Sequence, residues 1–159
     1  MVINRSRVKS SWADLTSGIP QGSVLGPLLF VLFINDMPDE ISNTCKLFAD
    51  DAKLYGCVAD KESIASLQAD LKKLEDWCTT WLMSHNTDKC KSIHLGRDNP
   101  RNVYTLNGED LQQTKEEKDL GVLIDDKLKY HAHTAKAVSK AFSILSVIYR
   151  SFKYLDEIT

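Results

Sequence analysis

The chain has 159 residues and a mass of 17.9 kDa, enough for one domain of ordinary size or one domain plus part of another. Apolar residues make up 43% and charged residues 26%, with a net charge of −2, a balance that excludes wholesale disorder. The longest apolar run, residues 24–34, is broken by Gly26 and Pro27 and falls well short of the ~20 residues a bilayer-spanning helix needs. The stretch after Met1 carries Arg5, Arg7 and Lys9 without an apolar run, so no signal peptide is expected.

Residues 6–17 read as one or two short strands with a loop. The segment Ser17-Gly18-Ile19-Pro20-Gln21-Gly22-Ser23 is dense in turn formers. Ser23 can cap a helix over residues 24–36, with Pro27 tolerated in its first turn and Pro38 ending it. That helix is apolar on nearly every face, so it is expected to be buried. Residues 45–55 suggest two short strands around a tight turn at Asp50-Asp51. A long helix then starts at a cap near Asp60. Its stripe of Ile64, Leu67, Leu71, Leu74, Cys78, Trp81 and Leu82 follows the spacing of three and four, and it is expected to end around residues 84–86.

A strand fits residues 91–95. A hairpin fits residues 103–111, because Asn107-Gly108 favours a type I′ turn. Residues 120–124 read as a further strand, and Asp125-Asp126 as a solvated turn. The helical period returns over residues 131–153, with Ala135, Val138, Phe142, Leu145 and Ile148 on one side and Lys136, Lys140 and Arg150 elsewhere. Strands and helices without regular alternation point to an α+β fold built on an antiparallel sheet.

Charge is unevenly spread. Residues 1–11 hold three basic groups and no acid, and residues 127–154 hold six and no acid; residues 12–126 carry 11 basic and 20 acidic groups. An acidic centre between cationic ends suits metal ions in the middle and a polyanion at the edges, though unrelated scatter produces it equally well. Cys45, Cys57, Cys78 and Cys90 form no C-x-x-C pair, and His85, His94, His131 and His133 form no H-E-x-x-H pattern. Reduced thiols, mostly in the core, are therefore expected, and no zinc site.

Two groups of residues could carry chemistry. Asp50 and Asp51 repel one another unless something offsets them. A divalent cation such as Mg²⁺, which prefers carboxylate oxygens and substrate phosphates, would do so; an exposed Asp-Asp turn is the plain alternative. The segment 18–23 would let backbone approach a ligand closely at its glycines, with Gln21 as a hydrogen-bonding group and Ser23 at a helix N-terminus that attracts phosphate. A rigid turn leading into a core helix explains the same residues.

Together these motifs closely resemble reverse transcriptases, with the nearest likeness to jockey-like non-LTR retrotransposons. The resemblance runs through Ser-Gly-Ile-Pro-Gln-Gly-Ser-Val-Leu-Gly-Pro-Leu-Leu-Phe, then Ile34-Asn35-Asp36, then Leu47-Phe48-Ala49-Asp50-Asp51. Residues 81–89, with Asn86 and Lys89, resemble the next helix-to-strand motif, and Leu120-Gly121-Val122 resembles the strand that supports the primer end. The likeness covers about residues 8–155.

It implies part of the palm of a right-hand polymerase over residues 1–126, without fingers or first catalytic strand, and the start of a helical thumb over residues 127–159. It implies an RNA-directed DNA polymerase that adds deoxynucleotides to a primer 3′-hydroxyl on an RNA template with two Mg²⁺ ions. The partners would be RNA template, DNA primer and deoxynucleoside triphosphates, with no membrane, and the working place inside the cell on chromosomal targets in the nucleus. Asp50 would be the metal ligand and Asp51 its supporting carboxylate. Lys89 would assist the leaving pyrophosphate. Gln21, Gly22 and Ser23 would lie against template or nucleotide, Leu120 and Gly121 would support the primer, and Lys136, Lys140 and Arg150 would grip the nucleic-acid backbone.

The family places a third aspartate on a strand several tens of residues before Gly18, whereas Asp14 is the sole acid in the 17 residues before Gly18. The expectation is therefore the C-terminal part of a polymerase core, with an upstream segment as its missing partner and little activity alone. The alternative is a non-catalytic remnant that at most binds nucleic acid.

Overall fold

The computed structural model describes Ser11, Asp14 and residues 22–152. The readings for residues 6–10, 12–13 and 15–17, for residues 18–21 of the turn segment and for Lys153 lie outside the described residues.

The first helix, α1, spans Leu25–Phe33. The Ser23 hydroxyl accepts a hydrogen bond from the Gly26 amide at 3.1 Å, so the expected serine cap forms. The helix ends before the expected residue 36, and residues 34–40 continue as successive turns. The expected burial does not occur. Within α1 only Gly26 is buried, while Val24 is 90% exposed and Leu25 and Leu32 are each 65% exposed. The inference from apolarity to burial requires a facing element, and among the described residues none covers this helix. Its end is better held: Phe33 meets Trp77 and Trp81 edge-on, at ring-centroid separations of 5.8 and 5.3 Å.

Strands β1 (Thr44–Phe48) and β2 (Asp51–Tyr55) form an antiparallel hairpin with Phe48 opposite Asp51. The turn is therefore Ala49-Asp50, one residue earlier than expected, and Asp51 already belongs to β2. Helix α2 (Lys61–Thr80) begins at Asp60, whose carboxylate accepts from the Ser63 amide at 2.7 Å, as expected. It stops at Thr80, short of residues 84–86. Leu82 adopts φ 55°, the Met83 amide donates to the Cys78 carbonyl at 2.8 Å, and the Leu82 amide to the Thr79 carbonyl at 3.3 Å. This is a Schellman cap, built on leucine where glycine is usual.

A 3₁₀ turn, Thr87–Lys89, leads into β3 (Lys91–Ile93). The hairpin β4 (Thr105–Leu106) and β5 (Glu109–Asp110) turns through Asn107 and Gly108, both at positive φ, as a type I′ turn requires. Then come β6 (Gln112–Thr114), β7 (Glu116–Asp119) and β8 (Val122–Asp125), with β7 and β8 antiparallel. The residues expected to open a strand at 120 instead form the turn between them: Leu120 and Gly121 both take positive φ.

The expected α+β class holds, but the expected antiparallel sheet does not form as one unit. Among the described residues there are four two-stranded sheets, three antiparallel and one, β3–β6, parallel. The parallel pair needs a long crossover, and residues 94–111, carrying the β4–β5 hairpin, supply it. The last helix, α3 (His131–Ser151), contains no buried residue.

The core gathers around α2: Ile34, Met37, Leu74, Cys78, Tyr104 and Leu106 are its buried apolar residues. Gln68 of α2 imitates a strand partner for β4, donating to the Thr105 carbonyl and accepting from the Thr105 amide, both at 2.9 Å. Of the four free cysteines only Cys78 is buried, and Cys57 is exposed, so the expectation of mostly core thiols fails. Asp125-Asp126 is more ordered than a solvated turn. Asp125 accepts from the Lys127 and Lys129 amides at 3.0 and 2.7 Å, and Asp126 pairs with Arg101 at 3.6 Å.

Candidate functional site

The β1–β2 hairpin presents the two adjacent carboxylates. Asp50 occupies the turn, Asp51 the first position of β2, and both are exposed. Ala49 before them has φ 51°, a left-handed conformation that costs an L-residue about 1–2 kcal/mol. Backbone strain therefore sits at the tip that carries the acids. Alternation along β2 puts Asp51, Lys53 and Tyr55 on one face, opposite Phe48, Lys46 and Thr44 of β1.

The hairpin is held from behind by a carboxylate that the sequence reading did not single out. Asp70 of α2 is completely buried. It accepts from the Ser42 amide at 3.1 Å, the Asn43 amide at 2.7 Å and the Asn43 side-chain amide at 2.8 Å, and it pairs with Lys73 at 2.8 Å. Burial pushes its pKa up, but the donors of Lys73, Ser42 and Asn43 override that and hold the carboxyl well below the usual carboxylate range. Lys73 also donates to the Glu40 carbonyl at 2.8 Å and the Ser42 hydroxyl at 3.0 Å. One turn of α2 thus fixes residues 40–43, the segment that enters β1. A legible signal existed: Asp70 falls three residues after Leu67 and four before Leu74, a lone acid at the edge of an apolar stripe.

The other candidate residues lie on separate elements. Lys89 is exposed at the end of the 3₁₀ turn. Gly22 is exposed at φ 84°, and Ser23 is half-buried with its hydroxyl engaged as the α1 cap. Gln21 lies outside the described residues. Leu120 and Gly121 form the β7–β8 turn. Asp119, which precedes that turn, pairs with Lys53 of β2, so the structure brings the two hairpins together. Lys136, Lys140 and Arg150 are exposed on α3, within about 80° of one another at 100° per residue. The connection from α3 back to the sheets runs through His133, whose Nδ1 accepts from the Leu123 amide at 3.2 Å.

Asp50 and Asp51 make no side-chain ion pair among the described residues. No group of three or more His, Cys, Asp or Glu residues suited to a metal occurs among the described residues. The two carboxylates are nevertheless hard oxygen donors on an exposed turn. That donor set fits Mg²⁺, which keeps several waters and takes one or two carboxylates alongside substrate phosphates.

The described residues thus present a hairpin with paired acids at its turn, with its entry held by α2 and a link to the β7–β8 hairpin through Lys53 and Asp119. Residues 3–155 match the family described as reverse transcriptase (RNA-dependent DNA polymerase), and the chain belongs to it. Its relatives are polymerases of mobile elements. It is 35% identical over 137 residues to the RNA-directed DNA polymerase from mobile element jockey of Drosophila funebris, covering 79% of this chain and 15% of that protein. It is 31% identical over 144 residues to the protein of the same description from Drosophila melanogaster, covering 84% of this chain and 16% of that one. The chain therefore spans about a sixth of the length of these curated relatives. No solved structure matches it. Among the described residues no helix is long and apolar enough to cross a membrane.

Proposed function

We propose that the chain is the palm part of a right-hand polymerase, over residues 1–126, with the start of its thumb from residue 127 onward. In the complete enzyme it extends a DNA primer with deoxynucleotides on an RNA template, as part of a retrotransposon polymerase acting on chromosomal targets in the nucleus. The observation that carries this is the β1–β2 hairpin, which holds Asp50 and Asp51 exposed at its tip within a reverse-transcriptase-family chain.

In this reading Asp50 and Asp51 hold Mg²⁺, with Asp50 as direct ligand and Asp51 in support. Held there, Mg²⁺ would supply activation of the primer hydroxyl and charge to offset the departing pyrophosphate. The chain's own residues orient the reactants. Gln21, Gly22 and Ser23 lie against template or nucleotide, Leu120-Gly121 supports the primer end, and Lys89 offers a cation, or a proton, to the pyrophosphate. Lys136, Lys140 and Arg150 contact duplex phosphates without reading sequence. A third carboxylate from an upstream segment completes the site, since in-line attack requires both ions to be fixed.

Primer extension with Mg²⁺ on an RNA template tests this. The chain alone should incorporate little or nothing. The chain joined to an upstream polymerase segment bearing the third aspartate should extend the primer, and Asp50→Ala should abolish extension. Robust extension by the chain alone, or extension that survives Asp50→Ala, contradicts the proposal. Salt-dependent nucleic-acid binding without extension in the joined protein supports a non-catalytic remnant instead.

A further inference from the structure

The β1–β2 and β7–β8 hairpins belong to separate two-stranded sheets, and no ladder among the described residues joins them. A side-chain pair links them: the Lys53 ammonium, in the middle of β2, donates to the Asp119 carboxylate, the last residue of β7. The two residues are 66 apart in sequence. Both side chains are only about a quarter exposed, at 25% and 28%, so the pair is sheltered more than an ordinary surface ion pair. Each partner also stands beside a candidate site. Lys53 is two residues from Asp51 on the same strand face, about 7 Å along the chain. Asp119 pairs with Val122 and closes the Leu120-Gly121 turn.

We propose that Lys53 and Asp119 are a positioning pair that sets the Leu120-Gly121 turn against the Asp50-Asp51 hairpin, and so sets the primer end against the metal-holding carboxylates. This deepens the polymerase reading and rests on it. A charge pair is the right device for two elements that share no ladder, because it fixes one distance without joining the sheets. Small misplacements of reacting groups cost large factors in rate, so such a spacer acts on catalysis without touching substrate.

The test uses amide NMR on the full chain. Lys53→Gln should shift the Leu120, Gly121 and Val122 signals, and Asp119→Asn should shift those of Ala49, Asp50 and Asp51. Lys53→Arg should leave both sets near native positions. The charge-swapped double variant, Lys53→Asp with Asp119→Lys, should restore both sets, which a loss of folding in either single variant could not mimic. Added Mn²⁺ should broaden Ala49–Asp51 and Leu120–Val122 in the native chain, and only the first set in Lys53→Gln. Native-like Leu120–Val122 shifts in Lys53→Gln, or no restoration by the swap, overturns the pair. Absence of Mn²⁺ broadening at Ala49–Asp51 in the native chain counts against the metal reading, while the shifts still decide the pair.

Discussion

Helices α2 and α3 are nearly the same length, at 20 and 21 residues, and both carry an apolar stripe. α2 buries Asp70, Leu74 and Cys78 and braces the Asp50-Asp51 hairpin. α3 buries nothing; Phe142 is 64% exposed and Leu145 is 43% exposed. Amphipathic periodicity thus tells which face of a helix is apolar and says nothing about what covers it. On α3 Lys136, Lys140 and Arg150 fall on the side away from Val138, Phe142 and Leu145.

The sharpest way to break this contrast is at Asp70. Asp70→Ala leaves Ser42, Asn43 and Lys73 donors without their acceptor, and should cost about 3–5 kcal/mol in chemical denaturation. The same group sets an acid limit. Its folded pKa lies below the ordinary aspartate value of about 3.9, so its stabilisation is complete above pH ~4 and is lost as pH falls below that. An acid titration followed by circular dichroism should therefore begin to unfold the native chain only below pH ~4. An unfolding midpoint near neutrality would contradict it.

The second comparison is one substitution made twice. Leu74→Ala, at 6% exposure, should cost about 2–5 kcal/mol, whereas Leu145→Ala should stay within about 0.5 kcal/mol. Equal costs would mean that α3 has a cover in solution. Replacing Lys136, Lys140 and Arg150 together by Gln should flatten the slope of log affinity for nucleic acid against log salt by about 2–3, at roughly 0.7–0.9 per phosphate contact. An unchanged slope would remove the phosphate role of α3. The smallest effect belongs to the α2 cap. Leu82→Gly relieves a left-handed leucine and should stabilise the chain by up to about 1 kcal/mol in denaturant melts.

Much of this was legible where local physics decides. The Asp60 cap and the Asn107-Gly108 turn each depend on a few neighbouring residues and formed as expected; the stripe of α2 formed from Ile64 to Cys78, while Trp81 and Leu82 fall beyond the helix end and are exposed. The aspartate hairpin was legible too, displaced by one residue because Ala49 accepts a left-handed conformation that the sequence does not advertise. What failed depended on distant partners. The parallel pairing of β3 with β6 joins residues separated by a whole hairpin. The exposure of α1 depends on which element faces it. The Asp70 brace needed knowledge that Ser42 and Asn43 point amides at α2. The candidate carboxylates were readable in Asp50 and Asp51 themselves; Asp70 stood out only as a lone acid at the edge of the α2 stripe, and the Lys53–Asp119 pair left no local signal.

The most direct measurement is electron paramagnetic resonance of Mn²⁺ titrated into the chain, with Mg²⁺ as competitor. The expected result is a bound fraction that Mg²⁺ displaces and that falls sharply in Asp50→Ala and Asp51→Ala, while Asp125→Ala and Asp126→Ala leave it as in the native chain. Equal Mn²⁺ binding by the native chain and by Asp50→Ala would contradict it.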